Sequence, residues 1–136
     1  MVILSVDYGD ARTGLAVCDR LEMLASPVGV IAETYAPKVI EKIRAQIASL
    51  GVQRIVVGLP RNMDGSFGER AQKCQAFAAE LQTATGIETV TWDERLTTVA
   101  AHRALSDVNV RGKKRKAVVD AVSAVMILED YLKSNH

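Results

Sequence analysis

Ile3-Leu-Ser-Val-Asp-Tyr-Gly-Asp-Ala-Arg-Thr-Gly-Leu-Ala-Val-Cys-Asp19 is the stretch on which the fold turns. It opens as an apolar strand and places a carboxylate, Asp7, where the chain reverses. Gly9 gives the backbone freedom for the turn, and Arg12 adds a fixed cation. A second apolar run, Thr13 to Cys18, then returns, so the pattern reads strand, tight turn, strand. A carboxylate at the end of a buried strand needs a cation, a hydrogen-bond network or a metal to offset its desolvation. Hydrogen bonding to the turn amides is the plainer alternative for Asp7.

Composition narrows the field. At 136 residues the chain is expected to be one domain, 1–136, large enough for a core without staples. Hydrophobic residues at 49% and charged residues at 24% are values of an ordinary globular protein. Aromatics at 4% are too few for a base-stacking platform. Cys18 and Cys74 lack metal-ligand spacing and read as small core residues in a reducing compartment. No signal peptide or membrane-spanning run is evident, so the expected location is the cytoplasm, with no membrane partner. The net charge of +1 conceals a basic run: Arg111-Gly-Lys-Lys-Arg-Lys116 holds five cations, and without them the chain carries −4. Such a run is either a solvated loop or a phosphate-binding patch.

Outward from the first hairpin, Leu24 to Ile31 reads as a third strand, antiparallel to its predecessor, with Pro27 suiting an edge. Pro37 opens a helix carrying Val39, Ile40, Ile43, Ile47 and Leu50 at helical spacing, and Gly51 ends it. Arg54 to Gly58 is β-branched and continuous, as in a central strand covered on both faces. The loop Leu59 to Gly68 follows, and Ser66 with Glu69 has capping-box spacing for the next helix. That helix presents Ala71, Cys74, Phe77, Ala78 and Leu81 on one face and stops before Gly86. Ile87 to Trp92 is another strand, leading into Asp93-Glu-Arg95. A short helix capped by Thr97 or Thr98 runs to Leu105, and a final helix covers about Lys114 to Leu132. Between Ala117 and Leu128 only Asp120 and Ser123 are not apolar, which predicts burial on most sides. Asp120 there needs a partner, unless it faces solvent and favours the helix dipole. Three meandering strands followed by βα units give an α/β fold: a five-stranded mixed sheet with helices on both faces.

So arranged, the chain resembles the RNase H-like fold and, within it, the YqgF family of pre-16S rRNA nucleases and Holliday-junction-resolvase-like proteins. Four blocks carry the resemblance in order along nearly the whole length: Asp7-Tyr-Gly9 with Arg12, Gly14 and Ala16; Val57-Gly-Leu-Pro60 with Asn62, Met63, Asp64 and Gly65; Asp93-Glu-Arg-Leu-Thr-Thr98; and Asp120 with Ala121 and Ala124. The resemblance implies a nuclease in ribosome biogenesis acting at the 5′ end of precursor 16S rRNA, and the small ribosomal subunit as a possible partner.

The chemistry can be reasoned from the residues. Phosphodiester hydrolysis near neutral pH needs an activated water and charge on the leaving oxygen, which two divalent ions about 4 Å apart supply. Mg²⁺ or Mn²⁺ takes oxygen ligands, so the protein's part is a cluster of carboxylates. Asp7, Glu94 and Asp120 are the expected catalytic and metal-binding acids, since three unpaired acids at element ends would repel one another. Many RNase H-like nucleases end the strand beside the first with an acid, whereas this one ends Gly58-Leu59-Pro60. The next strand out lies roughly 10 Å from the first, and the longer Glu94 is favoured over Asp93. Asp93 stays in reserve, as does Asp64, whose position beside Gly65 suits a turn. Arg12, Asn62, Arg95, Lys113, Lys114, Arg115 and Lys116 are the expected nucleic-acid contacts, although Arg12 and Arg95 suit ion pairs with the nearby acids equally. His102 and His136 are placed outside the chemistry, and Trp92 is read as core.

A DNA four-way-junction resolvase could use the same acids. It calls for a two-fold dimer, whereas the expected state is a monomer or weak dimer because no dimer face is obvious. A non-catalytic RNA-binding assembly factor is the reading from another class, favoured by the missing acid after Val57. An actin-like or sugar-kinase ATPase, suggested by Asp7-Tyr-Gly9, needs two lobes, and the chain has room for one.

Overall fold

The computed structural model describes residues 1–95 and 113–135, with side chains for 1–95 and 121–134. Five strands form one sheet: β1 (Ile3–Asp7), β2 (Thr13–Cys18), β3 (Ala25–Ile31), β4 (Arg54–Leu59) and β5 (Thr89–Asp93). Their order is β3-β2-β1-β4-β5. The first three strands pair antiparallel, with Asp7 opposite Gly14, while β4 joins β1 and β5 joins β4 in parallel. Pro27 therefore lies on an edge strand, opposite Ala16 where the pairing register shifts.

Helices α1 (Ala36–Leu50) and α2 (Glu69–Thr85) cover one face. Their Val39, Ile40, Ile43, Cys74, Phe77 and Leu81 pack on Leu4, Val6, Ile55 and Val57 of the sheet. Pro37 stands in the first turn of α1, and Gly51 and Gly86 close the two helices at φ 69° and 70°, the left-handed cap that glycine supplies without a Cβ clash. Helix α3 (Lys113–Asn135) covers the other face, where Ala124, Ile127 and Leu128 meet Ile3, Ala16 and Val56. The alternation of β1 thus sends Leu4 and Val6 to one core and Ile3 and Ser5 to the other. The mixed five-stranded sheet and its two helical layers match the sequence expectation. Cys18 and Cys74 are buried, free thiols.

Three expectations need revision. Helix α2 is entered through Gly68 with no side-chain cap. Ser66 cannot serve as that cap because its hydroxyl is engaged with Asp64 and Asn62, closing the loop on itself. Over its described side chains helix α3 is less buried than expected: Ser123, Ala124, Ile127, Leu128, Tyr131 and Leu132 form a buried stripe, Val125 and Met126 are partly buried, and Val122 is 38% exposed. The sheet supplies only one apolar surface to this helix, so one stripe suffices to seat it. Gly9 has no positive φ; its need is space, because a Cβ there would collide with the carbonyl oxygen of Arg12 as the turn closes. The helix expected from Thr97 or Thr98 to Leu105, and His102 and His136, lie outside the described residues.

Where α3 crosses the sheet, the Ser5 hydroxyl donates to the Ala124 carbonyl at 2.6 Å. Further along, Arg54 at the start of β4 donates to the Tyr131 hydroxyl at 3.1 Å. Helix α3 therefore runs antiparallel to β1 and β4, and its beginning lies at their C-terminal ends. Among the described residues no helix is long and apolar enough to cross a membrane.

Gly9→Ala is expected to lower stability by about 2 kcal/mol or more, the scale of an overpacked backbone contact. Urea unfolding of the variant beside wild type measures it.

Candidate active site at the C-terminal edge of the sheet

Asp7 ends β1 and is only 6% exposed. Strand alternation puts it on the same face as Ser5, beneath α3. Glu94 follows directly after β5 and is 2% exposed. A Cβ built on Gly58 would stand 2.6 Å from Glu94 Oε2 and 2.6 Å from Ile127 Cδ1, so the Glu94 carboxylate folds over Gly58 under the same helix. The glycine that looks like a lost acid in the sequence is thus the space into which an acid from the next strand reaches. β5 is two strands from β1, a backbone separation of about 10 Å, and the Glu side chain covers part of it.

The backbone of Asp120 belongs to α3, one turn before Ala124. Four helical residues span about 6 Å, and the step from Ser5 to Asp7 spans about 7 Å. The antiparallel crossing therefore brings the Asp120 backbone to the level of Asp7. Its side chain lies outside the described residues, as do those of Lys113, Lys114, Arg115 and Lys116, whose backbones form the first turn of α3. Among the described residues no three His, Cys, Asp or Glu side chains gather as a metal site.

Asp93 goes elsewhere. It pairs in register with Leu59, whose side chain belongs to the opposite core. Its Oδ2 accepts from Arg61 Nη1 at 3.2 Å and Arg95 Nε at 3.0 Å, and its Oδ1 accepts from the Arg95 backbone N–H at 3.0 Å. Burial pushes this carboxyl up, but the Arg95 hydrogen bonds and the charges of Arg95 and Arg61 outweigh it and hold it below the ordinary carboxylate range. A cation at Asp93 would have to displace two guanidiniums. Asp64 accepts from the Ser66 N–H at 2.9 Å and its hydroxyl at 2.6 Å, which hold its carboxyl low. This is the turn chemistry that its place beside Gly65 suggests.

The remaining residues frame the edge. Arg12 is half-buried just beyond the β1–β2 turn. Asn62 donates its side-chain N–H to Ser66 at 3.0 Å and accepts from the Gly65 N–H at 2.8 Å, so it closes the loop. Trp92 is half-buried and stands edge-on to Tyr131, centroids 5.9 Å apart, in the α3-side core. Arg61 is the residue that sequence reading passes over. Beyond Asp93 it donates to the Gly65 carbonyl through Nε and Nη2, and its guanidinium lies 4.5 Å above the Phe67 ring centroid. A lone Arg in a loop carries no periodic signal, and only the fold brings it to Asp93. Arg70, on the first turn of α2, donates to the Tyr8 carbonyl and to Asp10, bracing the turn after Asp7.

Known proteins agree with this layout. A family model described as "RuvX: Holliday junction resolvase" matches residues 1–134. A protein of Halothermothrix orenii named "Putative pre-16S rRNA nuclease" is 44% identical over 132 residues, covering 97% of this chain and 94% of its own. One of the same name from Clostridioides difficile is 42% identical over 130 residues, with coverage of 96% and 92%. Among solved structures, Thermus thermophilus RuvC in complex with a Holliday junction substrate superposes with a TM-score of 0.59 at 10% identity, covering 99% of this chain and 96% of that one. The fowlpox virus Holliday junction resolvase gives 0.56 at 12% identity, with full coverage of both. At such identity these two structures establish the RNase H-like fold alone.

Two outcomes test the geometry. Gly58→Ala should cost about 1–3 kcal/mol, because the new methyl group must displace Glu94 and Ile127; thermal unfolding measures it. Asp93, with its folded-state pKa depressed, adds stability that is full above the unfolded value near 3.9 and lost as pH falls through the lower folded value. The melting-temperature gap between wild type and Asp93→Asn should therefore be widest above about pH 4 and narrow steadily below it.

Proposed function

The chain belongs to the RuvX family, and from that premise we propose that it is a metal-dependent nuclease cutting phosphodiester bonds in structured RNA. Precursor 16S rRNA, at its 5′ end, is the proposed substrate, met in the cytoplasm on or near the small ribosomal subunit. The observation that carries the reading is the pair of buried carboxylates, Asp7 and Glu94, brought to one face at the strand ends over a bare Gly58. The name borne by relatives 42–44% identical over nearly the full length supports RNA as the target.

The donors fit a hard divalent ion. They are carboxylate oxygens, and the place where a residue-58 side chain would stand is taken by a carboxylate. Asp7, Glu94 and Asp120 would hold Mg²⁺ or Mn²⁺, two ions in all. Bound there, the ions supply positive charge for the leaving oxygen and a water acidified for attack. The chain's own residues do the rest. The low exposure of Asp7 and Glu94 keeps bulk water from screening their charge. Arg12, Arg95 and the Lys113, Lys114, Arg115, Lys116 turn bind phosphates along the strand, with Asn62 and the amides around Gly65 holding the backbone from the loop. The turn of α3 that carries these cations lies one turn before Asp120, so a phosphate drawn there arrives beside the acids.

Resolution of a DNA junction by the same acids is the second reading, favoured by the family's description. It predicts a two-fold dimer, while RNA trimming works as a monomer.

The test is cleavage of a labelled precursor 16S 5′-end RNA, with a DNA four-way junction alongside, in Mg²⁺, Mn²⁺ or EDTA. RNA cutting should require the metal and fall on the order of a hundredfold in Asp7→Asn and Glu94→Gln. Cutting of the junction alone transfers the assignment to the resolvase. Binding of RNA without cutting by the metal-loaded protein would make the chain an assembly factor.

A further inference from the structure

Asp93 joins two guanidiniums, of which the nuclease reading gives a role to Arg95 and none to Arg61. Both converge on Gly65 as well: a Cβ there would meet Arg95 Nη1 at 2.9 Å and Arg61 Nη2 at 3.5 Å, and Gly65 holds φ 91°. Two guanidiniums drawn together repel one another, and a shared carboxylate offsets one of the two charges. Asp64 lies close enough for its charge to act on Arg95 as well, and the Arg61 and Arg95 side chains stay 27% and 28% exposed. Asp64, the other carboxylate of the loop, accepts its hydrogen bonds from Ser66. Arg95 binds Asp93 through its backbone N–H and Nε, so neither terminal nitrogen is used in that pairing. Loop stapling alone would need only the Arg61 bonds to Gly65. The second arginine, tied to the same carboxylate, is the excess that calls for a ligand, and fixed guanidinium forks suit a phosphate. Glu94 lies between Asp93 and Arg95 in the chain, so the pair stands at the same strand end as the carboxylate assigned to the ions, with Asp93 turned to the other face.

We propose that Asp93 is a positioning residue that presents Arg61 and Arg95 as a paired guanidinium site for one backbone phosphate next to the scissile one. This rests on the nucleic-acid reading above and deepens it. Asp93 then touches neither metal nor substrate and acts through the two arginines. The site reads backbone charge and not base identity, so it sets affinity and register on the strand and leaves sequence preference unchanged.

Two measurements on the full-length chain test the proposal: steady-state cleavage of the labelled precursor RNA, and its binding in EDTA across a salt series followed by fluorescence anisotropy. Arg61→Gln should raise KM about tenfold, as expected for one charge-assisted hydrogen-bonding group, with kcat changed by less than about threefold. It should also lower the salt-dependence slope by about one phosphate contact. Arg61→Lys should restore the slope but not the KM, because it keeps the charge and loses the fork. Asp93→Asn should show the same KM effect, and Asp93→Glu should recover much of it. A cooperative thermal transition in each variant guards against misfolding. Unchanged KM and slope in Arg61→Gln would reduce the cluster to a loop staple and overturn the proposal. So would a kcat collapse in Asp93→Asn matching that of Asp7→Asn, which would make Asp93 a metal ligand. If wild type cuts no substrate, the nuclease reading fails alone, and the binding slopes in EDTA still decide the phosphate site.

Discussion

Glu94 reaches the α3 side of the sheet because β4 carries no side chain at residue 58. A carboxylate at 2% exposure is costly unless its surroundings offset the charge, and this one shares its face with a second buried acid, Asp7. The two carboxylates are thus held at one edge of the sheet from different strands. The rest of the C-terminal edge can be understood as the framing of that constraint.

Helix α3 is half of the frame. Its register on the sheet is pinned by the Ser5 hydroxyl on the Ala124 carbonyl and by Arg54 on Tyr131. Small residues let it approach closely enough for those bonds, and Ile127 packs where it borders Glu94 over Gly58. A helix so fixed has no freedom to slide, so the level at which its first turns meet the strand ends is set by packing far from them. The same constraint that buries the apolar stripe positions the charged beginning of the helix.

The loop after β4 is the other half. It closes on itself through Asp64, Ser66 and Asn62, and ties to β5 through Arg61 and Asp93. Consecutive residues of one strand end are thereby separated: Asp93 turns to the arginines, Glu94 to the buried face. Across the sheet, Arg70 braces the turn that follows Asp7. Each acid at this edge consequently sits on a backbone held from a second element, which is how rigid scaffolds keep charged groups in place.

Much of this was legible in the sequence. Period-two and helical apolar patterns defined the strands and helices, because burial is set by side-chain spacing. Pro37, Gly51 and Gly86 marked helix ends through their backbone limits, and Asp7, Glu94 and Asp120 stood out as acids at element ends. Other features depended on contacts distant in the chain, which no local pattern encodes. The reason for Gly58 is a carboxylate thirty-odd residues away. The need for Gly9 is space and not φ, Ser66 serves Asp64 and not the helix cap, and α3 buries one stripe because the sheet offers one surface. The choice between Asp93 and Glu94 is of the same kind. Strand alternation says that they part, but only the tertiary neighbours, two arginines on one side and a bare glycine on the other, decide which of them goes where.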